Sequence, residues 1–567
     1  MKLFENFIPA DEHAEIDRSG GSRRCDHLPT SLILDSLTLN HLDIFDSDFG
    51  VTTSLFGLLN YTETKFGQRM LRFWISSPLT SIVKINNRLD AIDDLSSQKM
   101  LVERDSFFSF LKAMPDLERL LNFVHTQGIQ RKNDHPDSRA QLFEDYDEKK
   151  IHSLSDLINS FIVTLTALKK IQPLAHHFKS ALLKSLVTLQ SAGGQFPDME
   201  QALSDFVQQN DLNEARKTGK VTPNAREGSA YADVLRKISE IEQKLHDVLD
   251  RETRTFRTKL KFTDSGKKRY LIEVPAKAFN EQNPSDRYKT EQRKKNSYLL
   301  YVPEILNLLP QLKKLEEEAE GMVGEAQRLM FAQFASSHEK WTRAVQCIAT
   351  LDALLSLSKA RSSLQSQFIT MTRPEFVPCS ESEAPVLEIR EGKHPILAKL
   401  NPNFVSNDLT ITDKLMIVTG PNMGGKSTLM RQTGLITIMA QLGSYVPAAS
   451  VRMTPVDRVF TRLGAMDRIA EGESTFFVEL NETSTILRHA TRFSLVLLDE
   501  LVSLPNPCSF LSSACHILLF HTADTHELFS SLLLLRGEGH PHTTELPSPM
   551  PSFTHSVSRS AAEHSFL

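Results

Sequence analysis

One segment of the sequence, GPNMGGKS at residues 420–427, limits the folds available to the chain more than any other. It matches the pattern GxxxxGK[ST], in which glycines allow backbone N–H groups to turn inward on phosphate oxygens. An apolar run from Leu415 to Val418 precedes the segment, and a helix-forming stretch from Ser427 to about Leu442 follows it. The order of strand, loop and helix predicts a phosphate-binding loop within an α/β domain.

The same pattern assigns roles to the residues of the loop. Lys426 would reach the β- and γ-phosphates of ATP, and the Ser427 hydroxyl would ligate Mg²⁺. The other predicted nucleotide contacts in this segment are Gly420, Asn422, Gly424, Gly425 and Thr428. A glycine-rich turn that binds no nucleotide is the alternative interpretation of the pattern.

A second motif, SLVLLDE at residues 494–500, supports the nucleotide interpretation. Its apolar run predicts a buried parallel strand that delivers two acids at its carboxyl end. Asp499 would hold Mg²⁺, and Glu500 would act as the catalytic base that orients or deprotonates the attacking water. Taken alone, the motif is also typical of a buried strand that ends in solvated acids.

The chain before this domain is predicted to be helical. From about Leu55 to about Ala360, apolar residues recur at steps of three and four, with long amphipathic stripes around 235–249 and 308–329. Between these stripes, the β-leaning run Tyr270 to Val274 predicts a small sheet inserted between two long helices. Residues 251–300 hold 14 Lys/Arg and 6 Asp/Glu. Such a basic patch could bind the phosphate backbone of a nucleic acid, or it could be a solvated, charge-rich helix tip that binds nothing. The charge count alone leaves both interpretations open.

Composition argues against several other classes of protein. The formal net charge is −5, so the whole chain lacks the basic excess of a histone-like DNA binder. The five cysteines lie far apart, without zinc-finger spacing. No signal-peptide pattern and no run of 18 uncharged apolar residues occurs, so we do not expect a membrane partner.

Three blocks of sequence together carry a family resemblance. TGPNMGGKSTLMRQ, VFTRLGAMDRIAEGESTFFVELNET and SLVLLDEL resemble the ATPase domain of the MutS mismatch-repair family, especially its nuclear eukaryotic members. The resemblance extends upstream through TKFGQRMLRFWISSPL, INNRLDAIDDL and EIREGKHPIL, and covers most of residues 30 to 501. It implies a multidomain fold in four segments. An N-terminal segment at 1–30 precedes a mainly α-helical core with lever helices at 31–365, which contains a small β clamp insert near 251–300. A partial α/β P-loop (ABC-type) ATPase domain follows at 366–501, and a divergent tail occupies 502–567.

The resemblance also implies further site residues. Phe404 would stack on the adenine with Asn407 beside it, and Ser474 would reach the γ-phosphate bound by a partner subunit. The partners implied are duplex DNA and a second MutS-family subunit of the MutS homolog 2 type. The candidate DNA contacts on the clamp insert are Lys267, Lys268, Arg269, Lys294 and Lys295.

Two departures from the family pattern limit these expectations. The N-terminal mismatch-binding domain has no counterpart in the sequence, so we expect the chain to lack its own mismatch reader. The resemblance stops at Leu501, where the family would continue with a Gly-Arg-Gly-Thr loop, a switch histidine and a dimerisation element. Loss of the strands after Asp499 predicts that one side of the central sheet is unpaired and exposes apolar surface.

The leading hypothesis is therefore a DNA mismatch-repair ATPase subunit in the nucleus, which acts as an ATP-dependent clamp on duplex DNA within a heterodimer. The alternative is a non-catalytic truncated fragment that only binds DNA or a MutS-family partner. A third possibility, an ABC-class ATPase that organises chromosomes, is disfavoured because the sequence has no long heptad region and no LSGG-like signature.

Overall fold

The computed structural model describes residues 29–47, 50–97, 109–129, 145–223, 229–266, 268–282, 288–367, 369–379, 384–411, 415–419, 421, 424–463, 485–486, 488–499 and 515–520. The α-helices of the first half are α1 Ser36–His41, α2 Leu55–Leu59, α3 Lys65–Ser76, α4 Ile82–Ser96, α5 Leu117–Gly128, α6 Asp145–Ile171, α7 Ala181–Val187, α8 Glu200–Gln209 and α9 Leu212–Thr218. Those of the second half are α10 Ala230–Phe256, α11 Ala276–Gln282, α12 Pro303–Ala335, α13 His338–Gln365, α14 Pro395–Leu400 and α15 Lys426–Leu442.

The strands form three sheets within the described residues. They are β1 Ile33–Leu34, β2 Lys261–Ser265, β3 Lys268–Pro275, β4 Lys289–Arg293, β5 Ser297–Tyr301, β6 Glu375–Phe376, β7 Leu387–Gly392, β8 Asn407–Ile411, β9 Leu415–Thr419, β10 Ser450–Met453, β11 Arg458–Arg462, β12 Ser494–Asp499 and β13 Cys515–Phe520. Their orders are β1-β11-β12-β13-β9, β6-β10-β7-β8 and β2-β3-β5-β4.

Helix α13 lies at the centre of the helical region. It is apolar around most of its circumference, so it is buried against α3, α4 and α5 rather than at the surface. Its buried acid, Asp352, accepts hydrogen bonds from the Thr64 hydroxyl (2.6 Å) and from the backbone N–H groups of Thr64 (2.9 Å) and Glu63 (3.1 Å). These bonds fix the start of α3 on α13, because the N–H groups before a helix have no partner within it.

The two long helices predicted on either side of the insert are confirmed as α10 and α12. Ser229 caps α10, its side chain accepting from the Ala232 N–H (3.2 Å), and Pro303 occupies the first turn of α12, where no N–H is needed. The helices pack against each other and carry the predicted small sheet, β2-β3-β5-β4. This sheet has its own hydrophobic core, separate from the main one and formed with side chains such as Leu245 and Leu312 of the two helices.

The sheet that contains the phosphate loop is mostly parallel but includes one reversed strand. Strand β11 is parallel to both β1 and β12, whereas β13 is antiparallel to both β12 and β9. Strand β12 is therefore paired on both sides. The segment Cys515–Phe520, in the divergent tail, forms the second pairing because its backbone satisfies the hydrogen-bonding groups that β12 would otherwise leave open. Among the described strands, the predicted unpaired side lies instead at β9, which ends the strand order and leaves Ile417 47% exposed.

The start of the chain also contributes to this sheet. Strand β1 pairs with β11, and the Thr38 hydroxyl of α1 donates to the Val459 carbonyl (3.0 Å). His41 lies within hydrogen-bonding distance of both the carbonyl (3.2 Å) and the hydroxyl (3.1 Å) of Thr461. Part of the segment predicted as helical core thus packs with the α/β domain.

One helix in the described part of the chain has the length and composition of a membrane span. It is α6, in which Lys149–Lys169 covers 21 residues and 44% of the most apolar window is buried. Leu154, Leu157 and Phe161 of this helix are fully buried in the main core. The packing accounts for this buried face, whereas Ile162 and Val163 of the same helix are exposed.

Candidate functional site

The segment predicted to be a phosphate loop lies between β9 and α15. Gly425 has φ +82°, a left-handed conformation that strains any other residue. A Cβ added at Gly424 would lie 2.9 Å from the Pro421 carbonyl oxygen, so this position also requires glycine. Two predicted contacts of the loop, Gly420 and Asn422, lie outside the described residues.

The first turn of α15 presents the predicted nucleotide-binding side chains. Lys426 is buried, and its Nζ donates to the Pro421 carbonyl (2.9 Å), which holds the ammonium over the loop. Ser427 and Thr428 follow it, both half-buried. A helix N-terminus together with a lysine ammonium favours an anion at this position, and phosphate fits it.

The acid of the second motif lies at the same edge of the sheet as the phosphate loop. Asp499 is the last residue of β12 and is buried. Strands β9 and β12 run in the same direction because β13 is antiparallel to each of them. Cys515 of β13 pairs with Thr419 and the next residue, His516, pairs with Asp499, so β9 and β12 end at the same edge of the sheet. Two strand spacings separate β9 from β12, about 10 Å. The Asp499 carboxylate and the Ser427 hydroxyl are oxygen ligands of the kind that Mg²⁺ takes while it keeps part of its water shell.

Other parts of the predicted nucleotide site are less complete. Glu500 and Ser474 lie outside the described residues. Phe404 is half-buried against the main core, and Asn407 begins β8 and donates from Nδ2 to the Val405 carbonyl (3.3 Å). Gly392 of β7 lies between β8 and α15. A Cβ added at Gly392 would lie 3.3 Å from the Asn407 carbonyl oxygen of β8 and 2.8 Å from the side-chain nitrogen of Gln432 on α15, so the two elements lie close together there.

The far end of α15 is held by an arginine that sequence reasoning missed. Arg88 of α4 donates from Nη1 to the Leu442 carbonyl (3.0 Å), and its guanidinium lies 3.7 Å from the centre of the Trp74 ring. A cation at a helix C-terminus is stabilised by the helix dipole. Gly443 follows with φ +81°, and a Cβ there would lie 2.7 Å from the Arg88 Cβ.

The contact between Arg88 and the end of α15, called here the joint, is extended by a polar network to the segment after α15. Asp93 of α4 accepts from Arg361 of α13 (2.8 Å) and from Arg373 (2.9 Å), and also from the Tyr445 hydroxyl. Burial, together with the hydrogen bond to Asp93, raises the pKa of Tyr445 to about 12. Helix α15 is therefore attached to the helical core at the end opposite the predicted phosphate loop.

Three of the five predicted DNA contacts of the insert are paired with carboxylates of the same chain. Lys268 pairs with Glu291, and Lys294 pairs with Glu273 at 3.6 Å. Arg269 donates from Nη1 to both carboxylate oxygens of Glu316 on α12 (2.8 and 3.1 Å).

The two remaining predicted contacts differ from these three. Lys295 is exposed and has no carboxylate partner within the described residues. Lys267 lies outside those residues.

Comparison with known proteins identifies two domains in the chain. A family model described as MutS domain III matches residues 37–358, and one described as MutS domain V matches residues 416–531. The second match continues past Leu501, so the expectation that the resemblance stops there is wrong. The segment that contains β13 retains enough of the family pattern to be recognised, despite its altered composition.

Individual relatives carry the same name. The chain is 38% identical over 519 residues to the DNA mismatch repair protein Msh6 of Gallus gallus and 38% identical over 524 residues to that of Homo sapiens. Each match covers 88% of this chain and 38% of the relative. The probable DNA mismatch repair protein Msh6 of Drosophila melanogaster is 36% identical over 509 residues, which cover 88% of this chain and 41% of the relative. The chain thus spans about two fifths of the length of the relatives it matches. Because domain III alone matches more than half of its residues, the chain belongs to the MutS family.

Proposed function

We propose that the chain is a subunit of a DNA mismatch-repair ATPase and acts as an ATP-dependent clamp on duplex DNA. In this proposal it works in the nucleus, as half of a heterodimer with a MutS-family partner of the MutS homolog 2 type. One observation carries the proposal: a single chain holds both a phosphate loop with an acid at the same sheet edge and a cationic sheet at the ends of two long helices. The names of its relatives support a role in mismatch repair.

At the nucleotide site, the proposed roles follow from position. Lys426 and the N–H groups around Gly424 and Gly425 bind the phosphates of ATP, while Ser427 and Asp499 hold Mg²⁺. Bound Mg²⁺ supplies charge neutralisation at the phosphates. Glu500 orients the attacking water.

The other proposed nucleotide contacts come from the family pattern. Phe404 stacks on the base, with Asn407 beside it. Ser474 completes the site of the partner subunit, which is why the proposal requires a dimer.

At the insert, the proposed ligand is the DNA backbone. Lys295 offers an exposed ammonium without a carboxylate partner in the described residues, and Lys267, Lys268, Arg269 and Lys294 are the other proposed contacts. Phosphate contacts of this kind fix a protein on the duplex without reading its sequence. The insert therefore grips any duplex, and selection of mismatched DNA is assigned to the heterodimer as a whole.

ATP hydrolysis by the purified chain tests the nucleotide part of the proposal. The assay is run with and without duplex DNA and the MutS homolog 2 type partner, with Lys426→Ala as the blank. Turnover above the blank supports the proposal, provided that circular dichroism shows both proteins equally helical. Equal rates for the chain and the blank under every condition would refute it.

The reversed strand β13 favours a second candidate function. An antiparallel strand between β9 and β12 interrupts an otherwise parallel arrangement, so the chain is alternatively a non-catalytic fragment that binds DNA or a partner. Binding of an exposed-hydrophobe dye and rapid proteolysis beyond about residue 400, in a protein that binds duplex but not ATP, would favour this candidate.

A further inference from the structure

Five cations on the small sheet of the insert and its turns are held by carboxylates of the same chain. These cations, called here the tethered cations, are Lys261, Lys268, Arg269, Lys289 and Lys294. The carboxylates that hold them belong to Glu273, Glu291 and Glu316. Three of the tethered cations are also proposed DNA contacts, so the same ammonium and guanidinium groups have two possible anionic partners.

Glu291 holds two lysines from different parts of the sheet. It pairs with Lys268 beside the β2–β3 turn and with Lys289 of its own strand at 3.2 Å, and these lysines hold the pKa of Glu291 below its usual range. The end of β2 also contacts β4, since the Ser265 hydroxyl donates to the side-chain oxygen of Gln292 (2.9 Å). The lysine side chains are 54% and 65% exposed, whereas that of Glu291 is 13% exposed. The lysines are thus free to turn toward an external anion while the carboxylate stays in place.

Glu273 is a second fixed acceptor of the same kind. Its carboxylate accepts from the Ser297 hydroxyl (2.8 Å) and the Thr263 hydroxyl (3.2 Å), and these bonds hold its position on the sheet. Two exposed lysines, Lys261 at 3.4 Å and Lys294 at 3.6 Å, pair with it. The hydrogen bond from Ser297 is the main reason that the pKa of Glu273 lies below its usual range.

We propose that Glu273 and Glu291 are built-in competitors of DNA phosphates for the tethered lysines. This inference rests on the proposed function of the insert as a grip on duplex DNA. Exposed ion pairs contribute little and exchange readily for another anion, so each lysine divides its time between its carboxylate and a DNA phosphate. The carboxylate stays nearby, because Glu273 and Glu291 lie on the sheet itself. The competition weakens the binding of each phosphate and so favours a clamp that releases or slides over one that holds tightly.

The first test replaces one competitor. Glu291→Gln keeps the size of the side chain and frees Lys268 and Lys289, so affinity for a fluorescein-labelled duplex is expected to rise about two- to fivefold per lysine. The slope of log K against log salt is expected to steepen by about 0.9 for each additional DNA phosphate that a freed lysine neutralises. Glu325→Gln is the matched control, since Glu325 pairs with Arg328 on α12 (2.6 Å) and its loss changes the net charge equally. The control is expected to leave the slope unchanged.

The second test asks whether one lysine changes partner. Lys268→Gln is expected to lower duplex affinity less than about twofold in the unmodified chain but several-fold in the Glu291→Gln background. A purely structural role for the pair would give equal losses in both backgrounds. Lys268 is an exposed residue, so its replacement leaves the sheet core intact. A loss of about 0.9 in slope from Lys268→Gln in the unmodified chain contradicts the proposal by itself.

The outcomes distinguish failure of the proposed grip on DNA from failure of the competitor role. If the unmodified chain shows no salt-dependent binding to duplex, the proposed grip on DNA is refuted. If the unmodified chain binds duplex, and Glu291→Gln and Glu273→Gln leave that binding unchanged or weaken it, only the competitor role is refuted. Tighter, more salt-sensitive binding in either variant, with the control unchanged, supports the competitor role.

Discussion

Helix α15, which follows the predicted phosphate loop, and the insert are both positioned by polar contacts, but those contacts differ in their exposure to water. At the end of α15, Arg88 is 6% exposed, donates to a helix carbonyl and lies against the Trp74 ring. In the insert, lysines such as Lys268 and Lys289 are more than half exposed. Removing one partner of a buried polar pair leaves an unsatisfied group, whereas an exposed pair exchanges its partner with water or another anion. We infer that α15 is fixed to the helical core, while the insert changes its partners readily.

The largest expected effect on the free energy of unfolding comes from a buried group, His394. Burial, assisted by nearby Arg431, lowers the pKa of His394 to about 4 from 6.5. Between these pH values the unfolded chain binds a proton that the folded chain does not, so the free energy of unfolding falls as the pH falls, by up to about 3 kcal/mol. Urea titrations across this range measure the loss.

Asparagine provides the matched variant for His394. The histidine caps α14, with Nδ1 accepting from the Leu397 N–H (3.3 Å), and asparagine is an equally good cap. His394→Asn is therefore expected to fold and to reduce the pH dependence in this window. An unchanged pH dependence would show that other groups cause it.

The next effect tests the joint at the end of α15. Arg88→Ala removes the cation over Trp74 and leaves the Leu442 carbonyl without its donor, so we expect a loss of about 2–3 kcal/mol in the free energy of unfolding. Arg72→Ala is the control, because Arg72 lies over Phe45 at 4.5 Å but is exposed. Its expected loss is about 1 kcal/mol or less. Equal losses in the two variants would contradict the distinction between buried and exposed contacts.

A pair of glycines provides a smaller test of the same contrast. Gly443→Ala places a side chain at φ +81° and against the Arg88 Cβ, so a loss of about 1–3 kcal/mol is expected. Gly321→Ala, in α12, adds a methyl group to open space inside a helix and is expected to stabilise by about 0.5–1 kcal/mol. Thermal unfolding of the two variants should shift the midpoint in opposite directions, and shifts of the same sign would overturn this account of the joint.

The smallest effect is expected in the insert. Glu316→Gln breaks the exposed pair with Arg269, so its cost in free energy of unfolding is expected to lie below about 1 kcal/mol. Chemical denaturation of the full chain measures it. A loss as large as that of Arg88→Ala would mean that the insert pairs are as structural as the buried joint.

The parts of the fold that the sequence predicted are those set by local patterns. Glycines at 424 and 425 between an apolar strand and a helix indicate a phosphate loop, because the loop chemistry requires these residue types at adjacent positions. The two amphipathic helices and the sheet between them follow from periodicity over about 20 residues or more. The acid at Asp499 follows from the rule that buried parallel strands present polar residues at their carboxyl ends.

The parts that were missed depend on contacts between distant residues. Nothing near Arg88 in the sequence indicates that it meets Leu442, and nothing near Ile33 indicates that it pairs with Arg458. The pairing of β13 was missed because the composition of the tail suggested an unrelated segment. The carboxylate partners of Lys268 and Arg269 were missed because a count of charges does not show which of them lie in contact.

The proposed clamp requires that nucleotide bound at α15 controls the grip of the insert on DNA. Its most direct test is the rate at which a labelled duplex dissociates from the chain, assembled with its MutS homolog 2 type partner, with and without ATP and Mg²⁺. We predict that ATP changes this rate and that Lys426→Ala abolishes the change while duplex binding without nucleotide is retained. Dissociation that is equally fast with and without ATP, from a chain shown to bind the nucleotide, would contradict the account.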